Sequence, residues 1–421
     1  MFSRLRAYRT ALFVVAALYS LAACDAPEDT VQFRDPPAVD YADAVEETKR
    51  LRLTFSGDLM AHNVNFNMDD YAMIYEDIRE ILQTDDLSFT NLEFSIDPLS
   101  PYATWPRFNV HDDYVEAAVD AGFDVFSLAN NHTTDMFLEG TIRTYETMRA
   151  IVDRADRPIY FSGLSSETFD LKTTEIRRQG LRIGFAAITG FLNLRESSDG
   201  ADYVYLYPFH LEEVQNSLIA WLEQEAAKYD LYVLSAHHGI EYRQEPASYK
   251  VDFFTQAIEA GVDIVWSHHP HVLQPITWAP RSDGTRGLIM YSLGNLISGQ
   301  TWYLTPDEWY TDRANTGDAA LVRVAVEFDE EGPRIAAAYP ELITHYIDPA
   351  KDIFARRMRN IIRTPLPEDW NRYYDVRTGV MRRFVRPAAD PYLAPPELRS
   401  SGWIADRRPR EDIAVASRSG E

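Results

Sequence analysis

Three histidines fall within four positions at His268-His269-Pro270-His271, directly after the apolar run Val262–Trp266. A run of that kind reads as a short buried strand. A pair of imidazoles separated by one residue at a strand mouth suits a divalent cation. The chain has ten histidines, and six of them (His132, His237, His238, His268, His269 and His271) lie at the ends of three separate apolar runs. Histidines scattered through a core or over a surface would not gather there. Acidic and amide side chains fall at comparable places: Asp58 after Leu51–Ser56, Asn91 and Glu93 after Leu87–Thr90, Asn131 after Asp124–Leu128, and Asn295 after Gly287–Leu293. Carboxylate, amide oxygen and imidazole together favour a hard to borderline ion: Mn, Fe, Zn or Mg. With no sulfur in the set, a structural zinc knot is disfavoured. Two such ions a few ångströms apart would polarise a phosphoryl oxygen and generate hydroxide from water; the set could hold one ion or two.

The elements that must hold these groups alternate. Strand-like runs at 51–56, 87–90, 124–128, 158–161, 182–188, 230–235, 262–266 and 287–293 are interleaved with helix-like periodicity at 112–121, 139–153, 211–228 and 249–260. Such alternation implies an α/β fold with layered sheets. Two late runs, 319–328 and 334–339, read as antiparallel strands. In open α/β sheets the ligand crevice lies beyond the carboxyl ends of the strands. Asp58, Asn91, Glu93, Asn131, His132, His237, His269, His271 and Asn295 are therefore expected to face one crevice. Taken singly, several motifs admit plainer readings. Gly57-Asp58 could be a turn, Asn130-Asn131-His132 a turn before a helix capped by Asp135, and His237 or His238 a partner for Glu241. His268 is the histidine least expected to take part. Trp302, Tyr303, Trp309 and Tyr310 suit either a polymer groove or ordinary packing.

The 421 residues with 46% hydrophobic content suffice for a large core, and the formal net charge of −24 argues against a nucleic-acid partner. An anionic substrate remains compatible, because a bound cation reverses the local field. The single cysteine, Cys24, precludes an internal disulfide. Arg4, Arg6 and Arg9 precede the apolar stretch 11–23, and Leu21-Ala22-Ala23-Cys24 resembles a bacterial lipobox. The expectation is a leader at 1–23, lipidation of Cys24 and attachment to the cell membrane on its extracytoplasmic face. That would be the periplasmic side in a cell with two membranes. An acidic, proline-bearing tether follows over 24–49, then a folded body over 50–347 and a peripheral extension over 348–421.

Six motifs in order carry a specific likeness: Gly57-Asp58-Leu59-Met60, Asn91-Leu92-Glu93, Ala129-Asn130-Asn131-His132-Thr133-Thr134-Asp135, His237-His238-Gly239-Ile240-Glu241-Tyr242, His269-Pro270-His271-Val272-Leu273-Gln274 and Tyr291-Ser292-Leu293-Gly294-Asn295. Over roughly 51–300 the chain resembles the CapA family of bacterial capsule, or poly-γ-glutamate, synthesis proteins. That family is similar to the calcineurin-like metallophosphoesterases. The resemblance implies a four-layer α/β/β/α sandwich with two mixed sheets around a dinuclear site. It implies Asp58 as a ligand of one metal and Glu93, or else Asn91, in the bridging position. Asn131, His237 and His269 would serve the second metal, and His271 would return to the first. His132 would be the acid beside the substrate with Asp135 orienting it, and Glu241 and Asn295 would lie behind the ligands or facing substrate.

Two departures bear on chemistry. Metallophosphoesterases carry a histidine two residues after the first aspartate, where this chain has Met60, with His62 two residues further on. Asn91-Leu92-Glu93 replaces the second aspartate motif. Fold therefore does not dictate activity. The resemblance implies a metal-dependent hydrolase or transferase acting on an anionic polymer, such as poly-γ-glutamate or capsular polysaccharide, or on its phosphorylated precursor. The other reading is a non-catalytic polymer-binding component, with a membrane synthase complex as a further partner in either case.

Overall fold

The computed structural model describes residues 49–167, 170–194, 198–330, 332–348 and 352–385. The leader, Cys24, the tether before Lys49 and the tail after Val385 lie outside the described residues. Among the described residues no helix is long and apolar enough to cross a membrane.

Two sheets face each other. The larger runs in the order Ile353–Arg357, Gly332–Ile347, Asp318–Asp329, Lys49–Leu59, Leu87–Leu92, Val125–Ser127 and Tyr160–Ser162, with the short Asn295–Ile297 strand also pairing Lys49–Leu59. The second runs Ile276–Pro280, Arg286–Met290, Ile264–His268, Leu231–His237, Leu181–Thr189 and Thr174–Arg178. Both are mixed. The strands that end at the crevice (Lys49–Leu59, Leu87–Leu92 and Val125–Ser127 in one sheet, Leu231–His237 and Ile264–His268 in the other) are parallel to their neighbours on that side. Their carboxyl ends therefore lie along one edge of each sheet.

Three apolar clusters define the layers. Between the sheets lie Leu51, Leu53, Phe55, Phe89, Ile183, Phe185, Val233 and Trp266. Behind the larger sheet, Leu92, Phe126 and Leu321 pack against Tyr114, Val115, Ala118, Met148 and Ile151 of helices Asp112–Ala121 and Phe137–Arg154. Behind the smaller one, Ala186, Leu234 and Ile289 pack against Leu218, Leu222, Phe253, Phe254 and Ala257 of helices Glu212–Ala226 and Ser248–Glu259. This is a four-layer α/β/β/α sandwich. Strands with both faces buried show no alternation, as the continuous apolar runs imply. Two polar contacts pin the sheets in register near the crevice: Trp266 Nε1 donates to the Ser56 carbonyl at 2.8 Å, and Ser235 Oγ bonds Ser127 Oγ at 3.0 Å.

Residues 352–385 are not peripheral as expected. Ile353–Arg357 adds an edge strand to the larger sheet, and helix Glu368–Val385 places Tyr373, Tyr374, Met381 and Val385 in the inter-sheet core. The boundary at 347/348 therefore falls inside the fold. Arg377 locks the helix in place. It pairs with Asp318, and donates to Asn315 Oδ1 at 2.6 Å and to the Trp309 carbonyl at 2.8 Å. Peripheral helices were expected here; the basic, proline-rich composition hid that the buried face of this one is largely aromatic and apolar and carries one arginine. The run 287–293 also ends early as a strand, at Met290, because the chain turns there to place Asn295 beside Asp58.

Candidate metal centre

Asp58 closes its strand where backbone meets backbone. A Cβ on Gly57 would lie 1.9 Å from the Gly294 carbonyl oxygen, so only glycine permits that approach. The contact brings Asn295 into register with Asp58. Asp58 Oδ1 accepts from Asn91 Nδ2 at 2.9 Å and lies 3.3 Å from His268 Nδ1, while Oδ2 lies 3.5 Å from His271 Nδ1. Burial opposes ionisation of Asp58, but the adjoining His268 and His271 outweigh it and hold the carboxyl well below the usual range.

Glu93 is fully buried, and neither carboxylate oxygen has a hydrogen-bond partner. Its Oε1 lies 3.7 Å from His237 Nε2 and 3.6 Å from His271 Nε2. Burial, followed by the charge of Asp58, pushes its pKa well above the usual carboxylate range. Burial, reinforced by neighbouring imidazoles, likewise holds His237 and His269 neutral. His269 Nδ1, His268 Nε2 and Asn91 Oδ1 are also buried without partners. Buried polar atoms normally find partners, so a concentration of orphaned acceptors here is what a cation would satisfy. Ligand atoms within 4.8 Å of one another form three overlapping groups: Asp58, Glu93 and His271; Glu93, His237 and His269; and Glu241, His269 and His271. Glu93 is common to the first two. Asn131 joins the second through its Oδ1, 2.7 Å from His237 Nε2. His269 and His271 adopt left-handed backbone, with φ of 98° and 57°. Such conformations cost about 1–3 kcal/mol each and persist where the surroundings enforce them.

His132 stands at the side, nearly buried, with Phe108 edge-on at 4.7 Å. Its Nδ1 lies 2.7 Å from Asp135 Oδ2, which also accepts from the Phe108 backbone N–H at 2.6 Å. Asn193 Nδ2 lies 3.3 Å from His132 Nε2. This network assigns the proton to Nδ1 and leaves Nε2 as acceptor. Asn295 Oδ1 is 3.0 Å from His271 Nδ1 and fixes that ring. Thus Asp58, Asn91, Glu93, Asn131, His237, His269, His271 and Asn295 meet at one place, with His132 and Asp135 reached through Asn131.

His62 does not supply what Met60 lacks. Its ring lies edge-on to Phe108 at 5.0 Å, burial holds its pKa down at about 3, and it belongs to none of the three ligand groups. Met60 is buried in the apolar cluster behind the larger sheet. His268, least expected to take part, touches Asp58 directly. Two further residues went unread in the sequence. Lys250 is fully buried, donates to the Tyr291 carbonyl at 2.9 Å, and is pushed down by burial to about 7. Its spacing with Phe253, Phe254 and Ala257 places a lysine on an apolar helix face, a signal that was present. Asn193 lies on a loop and left no signal. Tyr303 and Tyr310 are exposed, whereas Trp309 packs against the core.

A four-layer α/β protein with a buried carboxylate–imidazole cluster at the joint carboxyl edge of its sheets is thus defined. Residues 52–300 match the family model of the bacterial capsule synthesis protein PGA_cap, and the chain belongs to that family. It is 28% identical over 307 residues to the capsule biosynthesis protein CapA of Bacillus anthracis, covering 68% of this chain and 70% of that one. It is 26% identical over 278 residues to the PGA biosynthesis protein CapA of Bacillus subtilis (strain 168), covering 65% and 68%. Among solved structures, a hypothetical protein from Thermus thermophilus aligns with a TM-score of 0.41 at 17% identity, covering 69% of this chain and 98% of that one. The NAD nucleotidase NadN of Haemophilus influenzae aligns with a TM-score of 0.42 at 12% identity, covering 81% and 64%.

Proposed function

We propose that this protein is a metal-dependent hydrolase of capsule or poly-γ-glutamate biosynthesis, acting outside the cytoplasm on an anionic polymer or its phosphate-bearing precursor. The observation that carries the reading is the continuity from Glu93 through His237 and Asn131 to the His132–Asp135 pair. It supports His132 as a proton-transfer group next in sequence to the ligand candidate Asn131. The residues fit a divalent pair: Asp58, Glu93 and His271 would hold one ion, and Glu93, Asn131, His237 and His269 the other. Bound there, the cations would supply charge for an anionic substrate and an acidified water. The protein's own residues do the rest. Asn91 and His268 hold the Asp58 carboxylate, Asn295 orients His271, and Asp135 steadies the positive charge that His132 acquires when its Nε2 takes up a proton. From Nε2 that proton can pass to a leaving oxygen.

The test uses the full-length chain in detergent against a panel of phosphoesters, γ-glutamyl peptides and glycans. His132→Ala is expected to lower turnover by about 10²–10⁴-fold while metal content stays at the wild-type level. Undiminished turnover in the variant would remove His132 from the chemistry; no turnover from the wild type with metal bound would instead support a polymer-binding component, the reading that Met60 favours.

We further propose attachment to the membrane through lipidated Cys24, with a membrane synthase complex as partner. The basic run followed by an apolar segment and Leu21-Ala22-Ala23-Cys24 supports it. Cys24→Ser should move the protein from the membrane to the soluble fraction of its host; an unchanged distribution would refute anchoring by lipid.

A further inference from the structure

Glu241 is set apart from the buried ligands by position. It is exposed, yet its carboxylate lies in one ligand group with His269 and His271. Each of those histidines also belongs to a different deep group, His271 with Asp58 and His269 with His237, and Glu93 belongs to both. Glu241 therefore reaches both deep groups from their open side, while Glu93 reaches both from within.

The loop that presents Glu241 is clamped. The Tyr242 N–H donates to the Pro270 carbonyl at 2.9 Å, Gln274 Nε2 donates to the Arg243 carbonyl at 2.7 Å, and Tyr242 is held in left-handed backbone at φ 62°. The first ties Tyr242 to the His269-Pro270-His271 segment itself, and the second ties Arg243 to Gln274 just beyond it. Among the described residues no arginine or lysine pairs with Glu241, and His269, which shares its ligand group, has Nδ1 buried without a partner. A carboxylate grouped with two buried imidazoles, one of them with an unpartnered nitrogen, calls for a cation between them.

We propose that Glu241 is a direct ligand on the solvent-facing side of the metal pair. It makes up the position that the apolar Met60 cannot fill and that His62 does not reach. The proposal rests on the metal-centre reading above.

The test titrates the full-length chain, stripped by chelator, with Mn(II) alone, and records the visible absorption of the Co(II)-loaded protein. Glu241→Gln is expected to raise the dissociation constant of at least one Mn(II) by roughly tenfold or more and to change the Co(II) ligand-field bands. The melting temperature of the metal-free protein should not move, because the side chain is exposed. Wild-type affinity together with an unaltered Co(II) spectrum in Glu241→Gln would overturn the assignment while leaving the metal centre standing. A wild-type chain that takes up no Mn(II) would remove both.

Discussion

Glu93→Gln is expected to strip the protein of its divalent metal, whichever ion the purified wild type carries. Glu93 is the one carboxylate shared by both deep ligand groups, and its oxygens have no other partner. The amide keeps the shape, removes the charge, and replaces one acceptor with a donor aimed at imidazoles. The check is elemental analysis of wild type and variant prepared side by side; wild-type stoichiometry in Glu93→Gln would remove Glu93 from the centre. A pH signature accompanies it. Burial and the charge of Asp58 push the Glu93 carboxyl well above its usual range, which favours its protonated form when no cation is present. Metal uptake must displace that proton, so wild-type affinity should rise with pH until Glu93 ionises unaided. Glu93→Gln should lose that slope along with most of its affinity. Calorimetry in buffers of different ionisation enthalpy would count the proton directly.

The second large effect concerns the carboxyl-terminal helix. Arg377 and Asp318 are both nearly fully buried, and removing one member of such a pair costs about 3–5 kcal/mol, since the other is left uncompensated. Arg377→Met should therefore unfold at markedly lower denaturant, and Arg377→Met with Asp318→Asn should recover most of the loss. The sign of the pH dependence follows from Asp318, which burial raises to about 6 even with Arg377 beside it. A raised carboxyl stabilises fully below its unfolded value near 3.8 and loses that contribution as pH climbs through the folded value. In the wild type the loss is complete a little above pH 6. Without Arg377 the folded value moves higher still, so the gap between the two proteins should widen as pH rises above 6. A gap that narrows with pH, or a cost within a few tenths of a kcal/mol, would show that the pair contributes little. The consequence reaches the site: the Asp318 strand starts against Gly294, and Asn295 Nδ2 donates to the Thr316 carbonyl at 3.1 Å. A loosened helix should thus also loosen Asn295 and the His271 ring it orients.

Where the sequence misled, it did so for physical reasons. The segment after Asp348 looked peripheral because its arginines and prolines dominate composition, whereas the fold depends on which face of Glu368–Val385 turns inward. Tyr373, Tyr374, Arg377, Met381 and Val385 make one stripe of that helix. His268 was the histidine least expected to take part, and its role depends on the opposite sheet: stacking brings Asp58 Oδ1 to 3.3 Å from its Nδ1. His62 was a candidate for the missing ligand by proximity in sequence alone, and the helical turn Asn63–Phe66 directs it to Phe108 instead.

The sequence by itself determined the residue types, their order and their placement just beyond strand ends, because the burial that forces an apolar run also marks where it stops. That was enough for the α/β class, the family and the ligand candidates. Only the tertiary structure decided which carboxylates and imidazoles share a neighbour. Asp58 and Glu93 come from one sheet and His237, His269 and His271 from the other. Their convergence depends on how two sheets stack through Phe55, Phe89 and Trp266, a packing event between strands far apart along the chain that no local spacing encodes.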